Sequence, residues 1–227
     1  MLIIFDLDGT LAPIGKEISQ DTINLLKKLE SKGHQIAICS GKPTFYLCGL
    51  FRQVGLKRPI LLGENGAVIQ YGIHLPPIKQ DILPYSDQAK KSISFIYSKI
   101  QEVLPQVWFQ PNMVGCTPFL ETKEEFNLVN QCLMDHRENL KDVVVYQHAD
   151  SFDIVPEGID KGVGVIYLCS CLHLEKEDII AVGDGINDYS MFAVSNIALG
   201  IQIPDSSKVD YNFETIHDAL IYLNGRF

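Results

Sequence analysis

Apolar and polar positions along the first third of the chain follow the pattern of alternating β-strands and α-helices. Short apolar runs predict strands at 2–5, 35–39 and 60–62. Apolar residues at helical spacing predict a helix over 19–32, and Pro43 is placed to begin another. This strand–helix–strand order is typical of a parallel sheet with right-handed crossovers.

The middle of the chain shows a different order of elements, which follows a proline-containing linker. The pattern predicts a helix at 87–103 and two short strands at 107–110 and 116–119. A second helix, which ends near residue 137, and two more strands at 143–147 and 152–155 follow. Short strands separated by turn residues are typical of antiparallel pairs. We therefore predict a small α+β unit inserted at 78–152.

The parallel pattern returns in the last third of the chain. The predicted elements are a helix at 161–171, strands at 178–182 and 196–199 with a short helix between them, and a final helix at 216–223. The segments 1–77 and 153–227 are therefore predicted to form one α/β core, a Rossmann-like parallel sheet that carries the insertion.

Composition narrows the partners that this chain could have. Its 227 residues are 46% hydrophobic, and the net charge of −9 argues against nucleic acid, whose phosphates need clustered Lys and Arg. No apolar stretch approaches the ~18 residues of a membrane span. Asp6 is a candidate catalytic residue so early in the chain that no cleavable leader is expected before it. We therefore expect a cytoplasmic protein without a membrane partner, whose six cysteines are reduced thiols.

The side chains that could carry chemistry share one kind of position, because each follows a predicted strand or begins a helix. In chain order they are Asp6, Asp8, Ser40, Gly41, Lys42, Lys161, Asp184, Asn187 and Asp188. In parallel α/β sheets, sites form beyond the carboxyl ends of the strands. We therefore expect these residues to surround a single crevice.

The four carboxylates in this set need a cation beside a phosphorylated ligand. A carboxylate roughly 4 Å from a phosphate dianion is repelled by ~8 kcal/mol at an effective dielectric of about 20. Oxygen ligands without a His or Cys cluster suit Mg²⁺, which would orient a phosphoryl group. Lys161 would add positive charge, and Ser40 would donate a hydrogen bond. These residues predict phosphoryl transfer.

The order of four motifs resembles that of the haloacid dehalogenase-like phosphatases. The motifs here are Asp6-Leu7-Asp8-Gly9-Thr10, Ser40-Gly41, Lys161-Gly162 and Gly183-Asp184-Gly185-Ile186-Asn187-Asp188. The resemblance implies that Asp6 is a nucleophile that forms an aspartyl-phosphate, and that Asp8 protonates the leaving oxygen and later activates water. It also implies an Mg²⁺ site formed by Asp6, Asp8 (through its backbone carbonyl), Asp184 and Asp188. The substrate site that it implies is formed by Ser40, Gly41, Lys161 and Asn187.

Asp8 favours a phosphatase over a dehalogenase, because a halide leaves without a proton whereas the alcohol of a phosphate ester needs one. The position of the insertion resembles the Cof-type subgroup, which has an α/β cap. Its small size resembles phosphoglycolate and sucrose-phosphate phosphatases. We therefore predict an Mg²⁺-dependent phosphomonoester hydrolase for a small phosphorylated metabolite, either phosphoglycolate or a sugar phosphate. A phosphomutase and a non-catalytic metabolite-binding protein are the alternatives, and the oligomeric state is open.

Other positions have two interpretations each. Lys42 stands where many members of the family have Arg, and it is either a substrate contact or a solvated lysine at a helix start. Glu64 and Asn65 either contact substrate or form a plain turn. Gly162 and Gly164 form a GxG, a weak dinucleotide-binding signal. Polar residues at strand ends of the insertion either read the substrate or lie in surface loops; these are Gln110, Asn112, Gln147 and His148.

Overall fold

The computed structural model describes all residues, Met1–Phe227, and its main elements are strands and α-helices. The strands are β1 (Leu2–Phe5), β2 (Gln35–Cys39), β3 (Ile60–Gly63), β4 (Val68–Tyr71), β5 (Gln80–Ile82), β6 (Trp108–Gln110), β7 (Thr117–Phe119), β8 (Val143–Gln147), β9 (Phe152–Pro156), β10 (Ile179–Gly183), β11 (Ile197–Ile201) and β12 (Tyr211–Phe213). The helices are α1 (Gln20–Ser31), α2 (Thr44–Val54), α3 (Asp87–Val103), α4 (Lys123–Asp135), α5 (Lys161–Leu172), α6 (Tyr189–Ala193) and α7 (Ile216–Arg226). None of the helices has both the length and the apolar character that crossing a lipid bilayer requires.

The chain folds into two compact units. The first consists of Met1–Ile82 and Asp160–Phe227, and the second of Leu83–Ile159. The sequence pattern places the insertion at 78–152. The second unit begins later because β5 pairs with β4 in the sheet of the first unit, and it ends later because β9 pairs with β8.

The first unit is built on an eight-stranded sheet with the order β12-β11-β10-β1-β2-β3-β4-β5. The strands from β12 to β3 are parallel, whereas β4 and β5 add two antiparallel pairings at one edge. The α/β core with a separate small α+β unit is therefore confirmed, although the sheet is mixed. Strands β4, β5 and β12 are absent from the sequence-based prediction.

Burial explains why the sequences of the central strands are continuous apolar runs. All four residues of β1 are buried, as are the five of β10, because parallel strands are covered on both faces. Helix α1 packs one apolar face inward through Leu26 and Leu29. Its N-cap is Ser19, whose side chain accepts the N–H of Thr22 at 3.2 Å.

The second unit has its own core and two short antiparallel ladders, β6–β7 and β8–β9. Single bridges, Cys116 to Ile154 and Phe119 to Ser151, join β7 to β9. Helices α3 and α4 cover these strands, and α4 begins with a capping box formed by Thr122 and Glu125. The second unit is thus a small α+β layer with a hydrophobic interior.

Candidate active site

Strand register brings the candidate residues of the first unit to one edge of the sheet. β1 lies between β2 and β10, and Phe5 is paired with both Ile38 and Val182. The Asp6 N–H extends the ladder by donating to Val182 O at 2.9 Å. Residues that directly follow these three strands therefore emerge side by side, as expected for parallel α/β sheets.

Three carboxylates converge at this edge. One oxygen each from Asp6, Asp184 and Asp188 lies within 4.8 Å of the others. Asp6 and Asp188 are buried, at 5% and 0% exposure, and Asp184 is partly exposed. Such a group of hard oxygen donors could hold a divalent metal ion.

Lys161 is the built-in counterion of this cluster. Its Nζ donates to Asp6 Oδ1 and to Asp188 Oδ1, both at 2.6 Å, and the side chain is 1% exposed. Lys161 is the first residue of α5, whose N-cap Asp160 accepts the N–H of Val163. The helix start therefore fixes the point from which the ammonium reaches both carboxylates.

Burial and charge act against each other in this cluster. Burial raises the pKa of Asp6, Asp184 and Asp188, although Lys161 opposes this at Asp6 and Asp188. Burial disfavours the ammonium of Lys161, but the charges of Asp6 and Asp188 outweigh it and raise the pKa of Lys161 above its usual range. One ammonium thus balances only part of the carboxylate charge, so a bound cation would stabilise the cluster.

The backbone orients Asp188. Its Oδ2 accepts the N–H groups of Asp184 and Gly185, each at 2.9 Å. A Cβ at Gly183 would lie 2.5 Å from the Asp188 carboxyl carbon, so only glycine leaves room for this arrangement. Asp188 therefore closes the turn that carries Asp184, in addition to holding Lys161.

Two residues that the sequence-based interpretation left without a role shape the position of Asp184. The buried Thr10 donates through Oγ1 to Asp184 Oδ1 at 2.5 Å. Gly9 has a φ of +93°, and a Cβ there would lie 2.2 Å from Asp184 Oδ2. The signal that could have indicated them is their place directly after Asp8 at the end of β1.

The Asp8 carboxylate lies beside Lys42. Lys42 Nζ is 3.8 Å from Asp8 Oδ2, and the two side chains are 34% and 32% exposed. The predicted site residues are thus brought together in two groups: Asp6, Lys161, Asp184 and Asp188 in the carboxylate cluster, and Asp8 with Lys42.

Ser40 and Gly41 lie in the loop after β2. The buried Ser40 donates its N–H to Leu62 O at 2.9 Å, and its Oγ accepts the Lys42 N–H at 3.2 Å. The turn at Glu64 and Asn65 supports this loop, because the Asn65 N–H donates to Ser40 O at 2.9 Å. Gly41 faces the Asn65 side chain, whose Nδ2 would be 3.5 Å from a Cβ at residue 41.

Asn187 and the GxG pair have distinct environments. Asn187 is exposed in the 3₁₀ turn between β10 and α6. Gly162 and Gly164 are packing positions: a Cβ would lie 2.5 Å from Ser190 O at residue 162, and 2.6 Å from Gly66 Cα at residue 164. Close backbone approach therefore explains this GxG without a dinucleotide.

The polar residues singled out in the second unit form part of a chain of hydrogen bonds. Gln110 Nε2 donates to Asn112 Oδ1, and Asn112 Nδ2 donates to Thr117 Oγ1. Thr117 donates to Asp153, which also lies 3.2 Å from His148 Nε2. Gln147 and His148 both line a surface cavity. Substrate contact by these residues stays a prediction.

The cysteines are free thiols, and five of the six are buried. Cys39 ends β2 close to the carboxylate cluster, and burial raises its pKa to about 12. A protonated thiol is a poor nucleophile, so Cys39 serves as core rather than as chemistry.

An acidic sheet edge with a buried lysine is the arrangement expected from the resemblance to the haloacid dehalogenase-like phosphatases. The profile of that family, described as haloacid dehalogenase-like hydrolase, matches residues 3–112 and 110–202. The chain therefore belongs to this family, and the resemblance noted in the sequence is confirmed.

Relatives and solved structures agree with this membership. The 5-amino-6-(5-phospho-D-ribitylamino)uracil phosphatase YitU of Bacillus subtilis is 26% identical, with 88% of this chain and 86% of the relative covered. A phosphoglycolate phosphatase of Nitrosopumilus maritimus is also 26% identical, with 86% and 81% covered. A haloacid dehalogenase-like hydrolase from Bacteroides thetaiotaomicron has the same fold, with a TM-score of 0.77, 19% identity and 98% of each chain covered.

Proposed function

We propose that this protein is an Mg²⁺-dependent phosphomonoester hydrolase that acts on a small phosphorylated metabolite through an aspartyl-phosphate. The observation that carries the proposal is the convergence of Asp6, Asp184 and Asp188, two of which, Asp6 and Asp188, accept hydrogen bonds from the Lys161 ammonium. The phosphatase names of the relatives support the reaction class. We keep phosphoglycolate and sugar phosphates as candidate substrates, and the second unit as a candidate cap.

The donor set fits a hard divalent cation. Asp6, Asp184 and Asp188 would hold it with carboxylate oxygens, to which the backbone carbonyl of Asp8 would be added. When bound, Mg²⁺ would neutralise negative charge and orient the phosphoryl group. The excess of carboxylates over ammonium groups in the cluster supports such a ligand.

The side chains divide the reaction between them. Lys161 holds Asp6 Oδ1, so Asp6 Oδ2 is the oxygen that would attack phosphorus. The bond from Oδ2 to phosphorus forms as the ester bond breaks, and Asp8 gives its proton to the leaving oxygen. In the second step Asp8 takes a proton from water and the water oxygen attacks phosphorus. The bond from phosphorus to Asp6 Oδ2 breaks, which regenerates the Asp6 carboxylate and releases inorganic phosphate.

The remaining residues of the site bind rather than react. Ser40, Gly41 and Lys161 would contact the phosphoryl oxygens with hydrogen bonds and positive charge, and Asn187 would contact the substrate with its amide. Their positions beside the carboxylate edge of the sheet support these roles. Preorganised donors of this kind stabilise a transferring phosphoryl group.

Phosphate release from a panel of phosphorylated metabolites tests the proposal. We expect release with Mg²⁺ and none in EDTA. Asp6→Asn should abolish turnover with an unchanged circular dichroism spectrum. Asp81→Asn, a carboxylate change at β5 outside the cluster, should retain activity. In Asp8→Asn, acid-quenched peptide mapping should find the phosphoryl group on Asp6.

Three results would contradict the proposal: activity that persists in EDTA, near-normal activity of Asp6→Asn, or phosphate trapped on another residue. Release of phosphate without a bisphosphate activator separates hydrolysis from a mutase reaction. Ligand binding without turnover on any substrate would favour a binding protein.

A further inference from the structure

The two lysines at the active edge of the first unit differ in what their ammonium groups can reach. Lys161 is buried and donates to two carboxylates at 2.6 Å. Lys42 is 34% exposed, and its Nζ is 3.8 Å from Asp8 Oδ2, a distance beyond a hydrogen bond. The Lys42 ammonium can therefore turn its donors toward a ligand without breaking a hydrogen bond to Asp8.

The backbone fixes the point from which the Lys42 side chain starts. The Lys42 N–H donates to Ser40 Oγ at 3.2 Å, and its carbonyl accepts the Glu64 N–H at 3.0 Å. Gly63 packs against the same carbonyl, since a Cβ there would lie 2.8 Å from it. Lys42 is thus anchored on both sides of its Cα, as expected for a residue that positions a ligand.

On this basis we propose that Lys42 selects substrates whose leaving group carries a carboxylate close to the ester oxygen. The inference rests on the proposed function, in which Asp8 protonates that oxygen. A general acid works within about 2.6–3.2 Å of the oxygen it protonates. Lys42 Nζ, 3.8 Å from Asp8, therefore lies within roughly 7 Å of the ester oxygen.

That reach fits a carboxylate one carbon from the ester-bearing oxygen, as in the phosphate ester of a small 2-hydroxy acid. Such a carboxylate would otherwise face the like charges of the acidic cluster. Lys42 supplies the opposite charge at that point. Of the two candidate substrate classes, the geometry therefore favours the 2-phospho acid over a sugar phosphate, whose leaving group is uncharged.

Steady-state kinetics on two matched substrates test this inference. 2-Phosphoglycolate carries the carboxylate, and 2-hydroxyethyl phosphate replaces it with a neutral alcohol of similar size. We expect wild type to prefer phosphoglycolate. Lys42→Met should raise KM for phosphoglycolate by about 10- to 100-fold, while KM for hydroxyethyl phosphate and kcat for both change little. Lys42→Arg should keep most of the preference.

Lys79→Met is the matched control. Lys79 Nζ lies 3.7 Å from Asp81 Oδ2, a similar distance, and Lys79 directly precedes the edge strand β5. Lys79→Met should leave KM unchanged for both substrates. Thermal unfolding of each variant shows whether the fold is intact.

The possible outcomes distinguish a failure of this inference from a failure of the proposed function. The role proposed for Lys42 is wrong if wild type hydrolyses both esters equally well, or if Lys42→Met loses activity on both esters to the same degree. In either case the proposed function stands. If wild type hydrolyses no phosphomonoester, the proposed function falls first and the inference with it.

Discussion

The Asp184 carboxylate occupies the space that a side chain at Gly9 would need. A Cβ at residue 9 would lie 2.2 Å from Asp184 Oδ2 and 2.7 Å from its carboxyl carbon. The turn after β1 and the turn after β10 are therefore fitted to each other, and the motif glycine beside Asp8 is required by a partner far along the chain.

Gly9→Ala should displace Asp184 and reduce Mg²⁺-dependent turnover by about 100-fold, because small misplacements of a site are costly. Gly15→Ala is a matched control: Gly15 also has positive φ, but nothing lies within 4 Å of the added Cβ. Both changes carry a similar backbone cost of about 1–2 kcal/mol. Equal losses of activity in the two variants, measured as kcat/KM, would show that backbone strain alone is responsible.

Lys161→Met should destabilise the metal-free protein by about 3–5 kcal/mol, because it leaves two buried carboxylates without their counterion. Combining it with Asp6→Asn should restore part of that stability while activity stays absent. Urea unfolding in EDTA measures both effects. Additive destabilisation in the double variant would argue against the ion pair as the cause.

Asp184→Asn should raise the Tm of the metal-free protein, because burial raises the pKa of Asp184 and its charge is held at a cost in free energy. Mg²⁺ should raise the Tm of wild type by mass action but leave the variant nearly unchanged. Differential scanning fluorimetry with and without Mg²⁺ gives both numbers. A lower Tm for metal-free Asp184→Asn would indicate that its bond from Thr10 outweighs the charge repulsion.

His34 should make the folded protein less stable in mildly acidic solution. Burial and the nearby positive N-terminus lower the pKa of His34, and its Nε2 is buried without a hydrogen-bond partner. Below about pH 6.5 the unfolded chain binds a proton that the folded protein resists, so stability decreases as pH falls. Between pH 7.5 and 5.5, His34→Gln should therefore lose less Tm than wild type. The same change at the exposed His217 should leave the wild-type pH dependence in place.

The main features of the site edge could be predicted from sequence because each acid follows an apolar strand. Asp6 and Asp184 extend β1 and β10, and parallel strands must bring their carboxyl ends to one edge. The catalytic roles of these residues stay predictions. The burial that makes Lys161 a double counterion could not be predicted, since its partners come from two distant segments.

The missing strands have a local explanation. β4 has four residues, and β5 and β12 have three each, too few for a periodic pattern to be recognised. The role of Thr10 was missed for a different reason, because its partner Asp184 is 174 positions away. A single sequence shows which residues are chemically able to interact, but not which of them meet.

The contact between Gly66 and Gly164 also limits how this protein can change over time. An added methyl group at residue 164 would meet main-chain atoms of residue 66, which no side-chain adjustment can move aside. Neither position can compensate for growth at the other, because both are already at the smallest size available. The contact between α5 and the turn after β3 therefore cannot accommodate a single substitution at either glycine. Libraries that randomise these two positions should return glycine at both.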